Sequence, residues 1–146
     1  MKTILICGLP GSGKTFLARA LVKELVGVDW YNADAIREQY NDWDFTPSGR
    51  KRQMERMKSL SAKSVSEGRY AISDFVCPTS ELRKEFDADY VVWMNTIKEG
   101  RFDDTNRVFE NPESDSVDLI ITADEWWHTQ FADTWSKYIK EQVENG

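Results

Sequence analysis

Residues 8–15 read Gly8-Leu9-Pro10-Gly11-Ser12-Gly13-Lys14-Thr15, and this octet restricts what the chain can become more than any other stretch. Before it, Thr3-Ile4-Leu5-Ile6-Cys7 is a short apolar run of the kind that forms a strand buried on both faces. After it, Phe16, Leu17, Ala20, Leu21 and Leu25 recur at helical spacing, with Lys23 and Glu24 on the opposite face. The octet is therefore a strand-to-helix turn. Glycines there allow the backbone to wrap its N–H groups around a phosphate, and the following helix offers its positive end. Pro10, Gly11, Ser12, Gly13, Lys14 and Thr15 are the candidate ATP-binding residues, with Lys14 reaching the outer phosphates and the Thr15 hydroxyl a Mg²⁺ ion. The octet specifies the phosphate donor and says nothing about the acceptor.

The rest of the chain alternates strand and helix. Short strands are expected at 28–31, 70–75, 90–94 and 117–121, and helices at 33–40, 47–67, 80–86 and 124–144. This pattern predicts an α/β fold of the P-loop NTPase type, a parallel sheet of about five strands flanked by helices, in a single domain over residues 1–146. With 146 residues and 40% hydrophobic content, one sizeable core is affordable. The two cysteines, Cys7 and Cys77, form no metal or disulfide pattern and read as reduced thiols of a cytoplasmic protein. No apolar stretch is long enough for a membrane span, and the first strand begins too early for a signal peptide. A net charge of −6 argues against non-specific nucleic-acid binding while leaving room for a local basic pocket, and the sequence leaves a homodimer open.

A kinase needs a group to receive the acceptor's proton and cations to hold the moving phosphoryl group. Asp34 and Arg37 meet the first demand. They follow the second strand, whose C-terminal end should share the glycine loop's rim, and at i and i+3 they lie on one helix face. Asp74 closes the third strand, where an acidic residue can orient Mg²⁺ together with Thr15. Residues 95–116 are polar, predict an irregular lid, and supply Arg101 and Arg107 as candidate catalytic cations on closure.

At this point the chain resembles the adenylylsulfate kinases, which move the γ-phosphate of ATP onto the 3′-hydroxyl of adenosine 5′-phosphosulfate. Asn32-Ala33-Asp34-Ala35-Ile36-Arg37 is similar to that family's DGDNIR motif. The resemblance implies Asp34 as base and Arg37 as a substrate contact. Phe45-Thr46 followed by Gly49-Arg50-Lys51-Arg52-Gln53-Met54-Glu55-Arg56 resembles the family's Phe-Ser stretch and its Asp-Arg-x-Glu-Asn-x-x-Arg helix. That likeness implies Arg50, Gln53 and Arg56 as phosphosulfate ligands. Phe75-Val76-Cys77-Pro78 resembles Phe-Ile-Ser-Pro, implying that Phe75 stacks on the substrate adenine. The family's Arg-Asp-Pro-Lys-Gly-Leu-Tyr lid run is missing; Arg101, Phe102 and Asn111-Pro112-Glu113 stand where its far side would be.

Two further readings use the same residues. Polynucleotide 5′-hydroxyl kinases carry an Asp-Asp-Tyr-Arg stretch similar to residues 33–37 and a strand ending Ile-Ser-Asp, like Ile72-Ser73-Asp74. There a nucleic-acid 5′ end is the acceptor, and Phe75 discriminates: an adenine-stacking ring favours the small nucleotide, whereas a core-buried ring is neutral. A non-catalytic nucleotide-binding protein would instead use the aromatic last helix as a partner surface. Trp127, Phe131 and Trp135 recur at helical spacing and predict packing on the sheet, Trp126 lies off that stripe, and His128 reads as a surface residue.

Overall fold

Strands apolar on both faces need helices above and below, and that is how this chain folds. The computed structural model describes residues 1–127 and 131–146. In chain order the elements are β1 (Thr3–Cys7), α1 (Lys14–Glu24), β2 (Val28–Asn32), α2 (Ala33–Tyr40), α3 (Pro47–Ser66), β3 (Tyr70–Asp74), α4 (Ser80–Phe86), β4 (Tyr90–Asn95), α5 (Asp103–Val108), β5 (Leu119–Thr122), α6 (Ala123–Trp126) and α7 (Phe131–Asn145). Five strands form one sheet in the order β2-β3-β1-β4-β5, and every pairing is parallel. Ile4 and Ile6 point to the side covered by α1 and α7, where Leu17, Leu21, Ile139 and Val143 close the core. Leu5 and Cys7 point to the other side, against Ile36, Met54, Met57 and Phe86 from α2, α3 and α4. Burial on both faces is why β1 shows no polar alternation.

Helix starts on the acceptor side are capped by side chains. Asn32 Oδ1 accepts from Ala35 N at 3.0 Å at α2, Thr46 Oγ1 from Gly49 N at 3.2 Å at α3, and Thr79 Oγ1 from Leu82 N at 3.2 Å at α4. Each such cap contributes about 1 kcal/mol. Strand register then aligns three neighbouring ends, because Ile6 lies beside Asp74 and Asn32 lies beside Asp74 on the other edge of β3. Since β1 has partners on both sides while the chain crosses over it, its C-terminal end is the crevice where open parallel sheets place their ligands.

Three expectations need correction. The fifth strand begins at Leu119 rather than residue 117: Asp118 meets Val91 by donating its backbone N–H to Val91 O at 2.9 Å, while its carboxylate, in place of a backbone carbonyl, accepts from Val91 N at 2.8 Å. The segment 95–116 is not irregular throughout. It holds α5 and a turn of 3₁₀ helix at Ser114–Ser116, and its far side is tied to the loop before α4 by Glu110 N to Pro78 O at 2.7 Å and to α4 by Arg83 Nη2 to Glu110 O at 2.7 Å. In place of one last helix there are α6 and α7. Trp127 departs from helical geometry at the end of α6 (ψ 40°) and is 61% exposed, so it does not pack on the sheet; Ile139 and Val143 do. His128 lies outside the described residues.

Candidate active site

The β1–α1 turn, the C-terminal ends of β2 and β3, the start of α3 and the segment after β4 surround one cavity of about 690 Å³. Its floor is the glycine loop. Gly13 has φ 101° and forms the N-cap of α1, a left-handed conformation that glycine adopts without strain. Thr96, buried at the end of β4, donates its hydroxyl to Ser12 O at 2.6 Å and braces the loop from behind. Among the described residues, Ser12 Oγ is the buried side-chain polar atom without a partner.

Lys14 is nearly buried, and its ammonium donates to Gly8 O at 3.0 Å and Leu9 O at 2.9 Å. Burial lowers its pKa from the ordinary lysine value, opposed chiefly by the Asp74 charge. The Asp74 carboxyl is pushed up by its own burial, against which the hydrogen bonds from Asn32 and Trp30 and the charge of Lys14 all work. Both donors fall on one oxygen: Trp30 Nε1 and Asn32 Nδ2 each lie 3.0 Å from Asp74 Oδ2. Asn32 Nδ2 is also 3.5 Å from Thr15 Oγ1, joining the two candidate Mg²⁺ ligands.

That donor set suits Mg²⁺. The ion favours one or two protein oxygens supplemented by water and substrate phosphates over an all-protein cage. Thr15 offers a hydroxyl and Asp74 a carboxylate on the same cavity wall, and the described residues contain no cluster of three or more His, Cys, Asp or Glu that would mark a different metal centre.

The acceptor-side residues separate into two groups. Asp34, Arg50 and Phe75 line the cavity, and Asp34 is exposed to it with no hydrogen bond or ion pair among the described residues. Arg50 donates to Phe45 O at 2.9 Å and Thr105 Oγ1 at 3.3 Å, which holds its guanidinium at the wall. The ring of Phe75 is mostly buried, edge-on to Phe86 at 5.4 Å, so it belongs to the core as much as to the wall. Arg37, Gln53 and Arg56 do not line the cavity. The Arg37 guanidinium is buried under Phe45 and donates to the carbonyls of Asp42 at 3.0 Å and Asp44 at 3.1 Å. Gln53 donates to Ala33 O at 3.0 Å, and Arg56 bonds Gln53 Oε1 at 2.8 Å and Asp42 Oδ2 at 3.0 Å. These three build the corner between α2 and α3 and position the wall from behind. In the segment after β4, Arg101 and Asp104 line the cavity, whereas Arg107 does not line it and is exposed, 3.5 Å from Asp104.

Sequence reasoning missed the aromatic mouth. Phe16, Trp43, Phe45, Phe102 and Trp127 line the cavity while remaining largely exposed. Trp127 is anchored by its indole N–H to Thr96 O at 3.3 Å, and Trp126 is folded in against Gly13 instead of presenting a partner surface. Their clustering depends on four separate segments, and the one available signal was the Trp126-Trp127 pair just after a strand end. Neither cysteine reaches the chemistry: both are buried free thiols, and burial pushes Cys7 up to about 11.

A parallel sheet in this order, a glycine loop at its central crevice and an uncommitted carboxylate opposite the loop define an ATP-dependent phosphotransferase of the P-loop kinase class. The sequence model of adenylylsulphate kinase matches residues 1–96, and the chain belongs to that family. No curated protein matches the sequence significantly. Among solved structures, the Mycobacterium tuberculosis APS kinase in complex with AMPPNP and APS is 18% identical with a TM-score of 0.71, over 98% of this chain and 97% of that one. A sugar kinase from Janibacter sp. is 15% identical with a TM-score of 0.73, over 94% and 93%. A shikimate kinase from Acinetobacter baumannii in complex with shikimate is 17% identical with a TM-score of 0.60, over 99% and 94%. These likenesses establish the fold, and no helix among the described residues is long and apolar enough to cross a membrane.

Proposed function

We propose that the chain transfers the γ-phosphate of ATP to a hydroxyl of a small nucleotide, the 3′-hydroxyl of adenosine 5′-phosphosulfate. The observation that carries the reading is Asp34: an exposed carboxylate on the wall of the glycine-loop cavity, engaged by no other described side chain. Asp34 takes the proton of the attacking hydroxyl as the new oxygen–phosphorus bond forms and the bond between the β- and γ-phosphates of ATP breaks, leaving ADP. Pro10 to Thr15 and Lys14 hold the donor phosphates, and Lys14 leaves its loop carbonyls to do so. Thr15 and Asp74 are the residues that would hold Mg²⁺, whose chemistry is to neutralise charge between the β- and γ-phosphates. Arg50 gives the acceptor's anionic group a fixed cation, and Arg101 neutralises charge at the cavity mouth. Trp43 and Phe45, exposed beside Arg50, offer flat apolar walls that suit a purine better than a sugar.

A second reading is favoured by the aromatic mouth. Five exposed rings around one cavity are the kind of surface on which unpaired bases stack, at about 1–3 kcal/mol each, and would suit the 5′-hydroxyl end of a single-stranded nucleic acid. One experiment separates them. Labelled ATP and Mg²⁺ are offered with adenylylsulfate, a 5′-hydroxyl oligonucleotide, nucleoside monophosphates, a simple sugar or no acceptor. Label on adenylylsulfate supports the first reading, label on the oligonucleotide replaces it with the second, and release of free phosphate alone defeats both.

A further inference from the structure

The structure assigns Asn32 as a positioning residue that locks the donor-side ligands Thr15 and Asp74 and the acceptor-side helix carrying Asp34 into one unit. Its place follows from the sheet. In the β2–β3 register Asn32 lies beside Asp74, so the last residue of one strand meets the last residue of the next at the crevice. Asn32 is at once the end of β2 and the N-cap of α2, two residues before Asp34.

The side chain satisfies three partners with its two ends. Ala35 N–H can only donate, so the amide oxygen Oδ1 must face it, at 3.0 Å. That choice turns the NH₂ group the other way, toward Asp74 Oδ2 at 3.0 Å and Thr15 Oγ1 at 3.5 Å. Because Trp30 Nε1 binds the same Asp74 oxygen, the protein's donors collect on Oδ2 and no described donor occupies Oδ1. The carboxylate is thereby held in one rotamer with one oxygen left for a cation. An aspartate in place of Asn32 would instead set two carboxylates within hydrogen-bond distance in a largely buried site, where like charges repel strongly.

Capping alone would explain the bond to Ala35 but not the two on the other side. Serine separates the roles, since it caps a helix as well as asparagine does but has no amide to reach Asp74 and Thr15. The inference needs a Mg²⁺-bound nucleotide and does not depend on the acceptor's identity, so it stands or falls apart from the proposed substrate.

The test is equilibrium binding of AMPPNP to wild type, Asn32→Ser and Asn32→Ala by calorimetry at increasing Mg²⁺, with thermal unfolding of each apo protein alongside. Loss of a group that orients a metal ligand costs about 10- to 100-fold in metal affinity. Both variants should therefore raise the Mg²⁺ concentration for half-maximal nucleotide binding by at least tenfold, while Asn32→Ser melts near wild type and Asn32→Ala melts lower. In an Asp74→Asn background the Asn32→Ser shift should shrink sharply, because the shorter of the two contacts runs to Asp74 and only the one to Thr15 is left. A Mg²⁺ requirement of Asn32→Ser within twofold of wild type, or an unchanged shift in the Asp74→Asn background, overturns the proposal. Should the Asn32 variants not fold, Trp30→Phe removes the other donor to Asp74 Oδ2, and an unaltered Mg²⁺ requirement there would count equally against a carboxylate fixed by these bonds.

Discussion

Trp126 is laid against Gly13, so closely that a Cβ on Gly13 would collide with the indole Nε1. The glycine is required twice over, by its φ of 101° and by the ring beside it. Gly13→Ala should therefore abolish nucleotide binding and destabilise the fold. Pairing it with Trp126→Ala relieves the collision and leaves the backbone strain, so the double variant should be less unstable than the sum of the two single ones. Denaturant titration of all four proteins measures the coupling; strict additivity would mean the ring and the glycine do not interact.

On the proposed mechanism Lys14 serves the chemistry at the expense of stability. A lysine whose folded pKa lies below its unfolded value costs stability while it is charged, and that cost is relieved as the pH rises from the folded value toward the ordinary 10.5. Lys14→Met should eliminate phosphotransfer while leaving the apo melting temperature equal to or above wild type, the gap narrowing at alkaline pH. A melting temperature several degrees below wild type at pH 7 would show that the bonds to Gly8 O and Leu9 O outweigh the burial.

Asp34→Asn keeps the size and polarity of the side chain and removes its ability to take a proton. Turnover should drop by the roughly 10² to 10⁴ expected for loss of a general base, with AMPPNP affinity nearly unchanged. Unaltered turnover would take Asp34 out of the mechanism.

The corner between α2 and α3 should make the protein acid-sensitive. Hydrogen bonds from Arg52 at 2.8 Å and Arg56 at 3.0 Å hold the Asp42 carboxyl well below the usual carboxylate range. A depressed carboxylate stabilises the fold above its unfolded value near 3.8 and loses that contribution as pH falls below it. Stability measured by urea unfolding should decline below about pH 4 in wild type and be flatter in Asp42→Asn. The same variant leaves Arg52 to Asp44 and Arg56 to Gln53 and removes the charge that joins them, so a softened acceptor wall, seen as a raised KM with little change in kcat, is expected with it.

Much of this molecule is legible locally. The octet at residues 8–15, the apolar run before it and the periodic stretch after it each carry their structure within a few residues, since strand burial, helix spacing and glycine conformations are short-range properties. Asp34 was legible for the same reason: its place follows from being two residues past a strand end. The destinations of Arg37, Arg50 and Arg56 were not. Two helices, α2 and α3, bring all three near the crevice, yet a long guanidinium goes to whichever carbonyl or carboxylate the folded loops present first. Asp42 and Asp44 captured Arg37 and Arg56 and left Arg50 at the wall.

What the sequence determined by itself is the donor half of the chemistry, because phosphate binding resides in one contiguous loop and its neighbouring helix. Tertiary structure alone decided the rest. Strand register set Asn32 beside Asp74, α6 laid Trp126 against Gly13, and four distant segments gathered the rings of the mouth. Those contacts join residues far apart in the chain, and their geometry exists only once the sheet has aligned its strand ends.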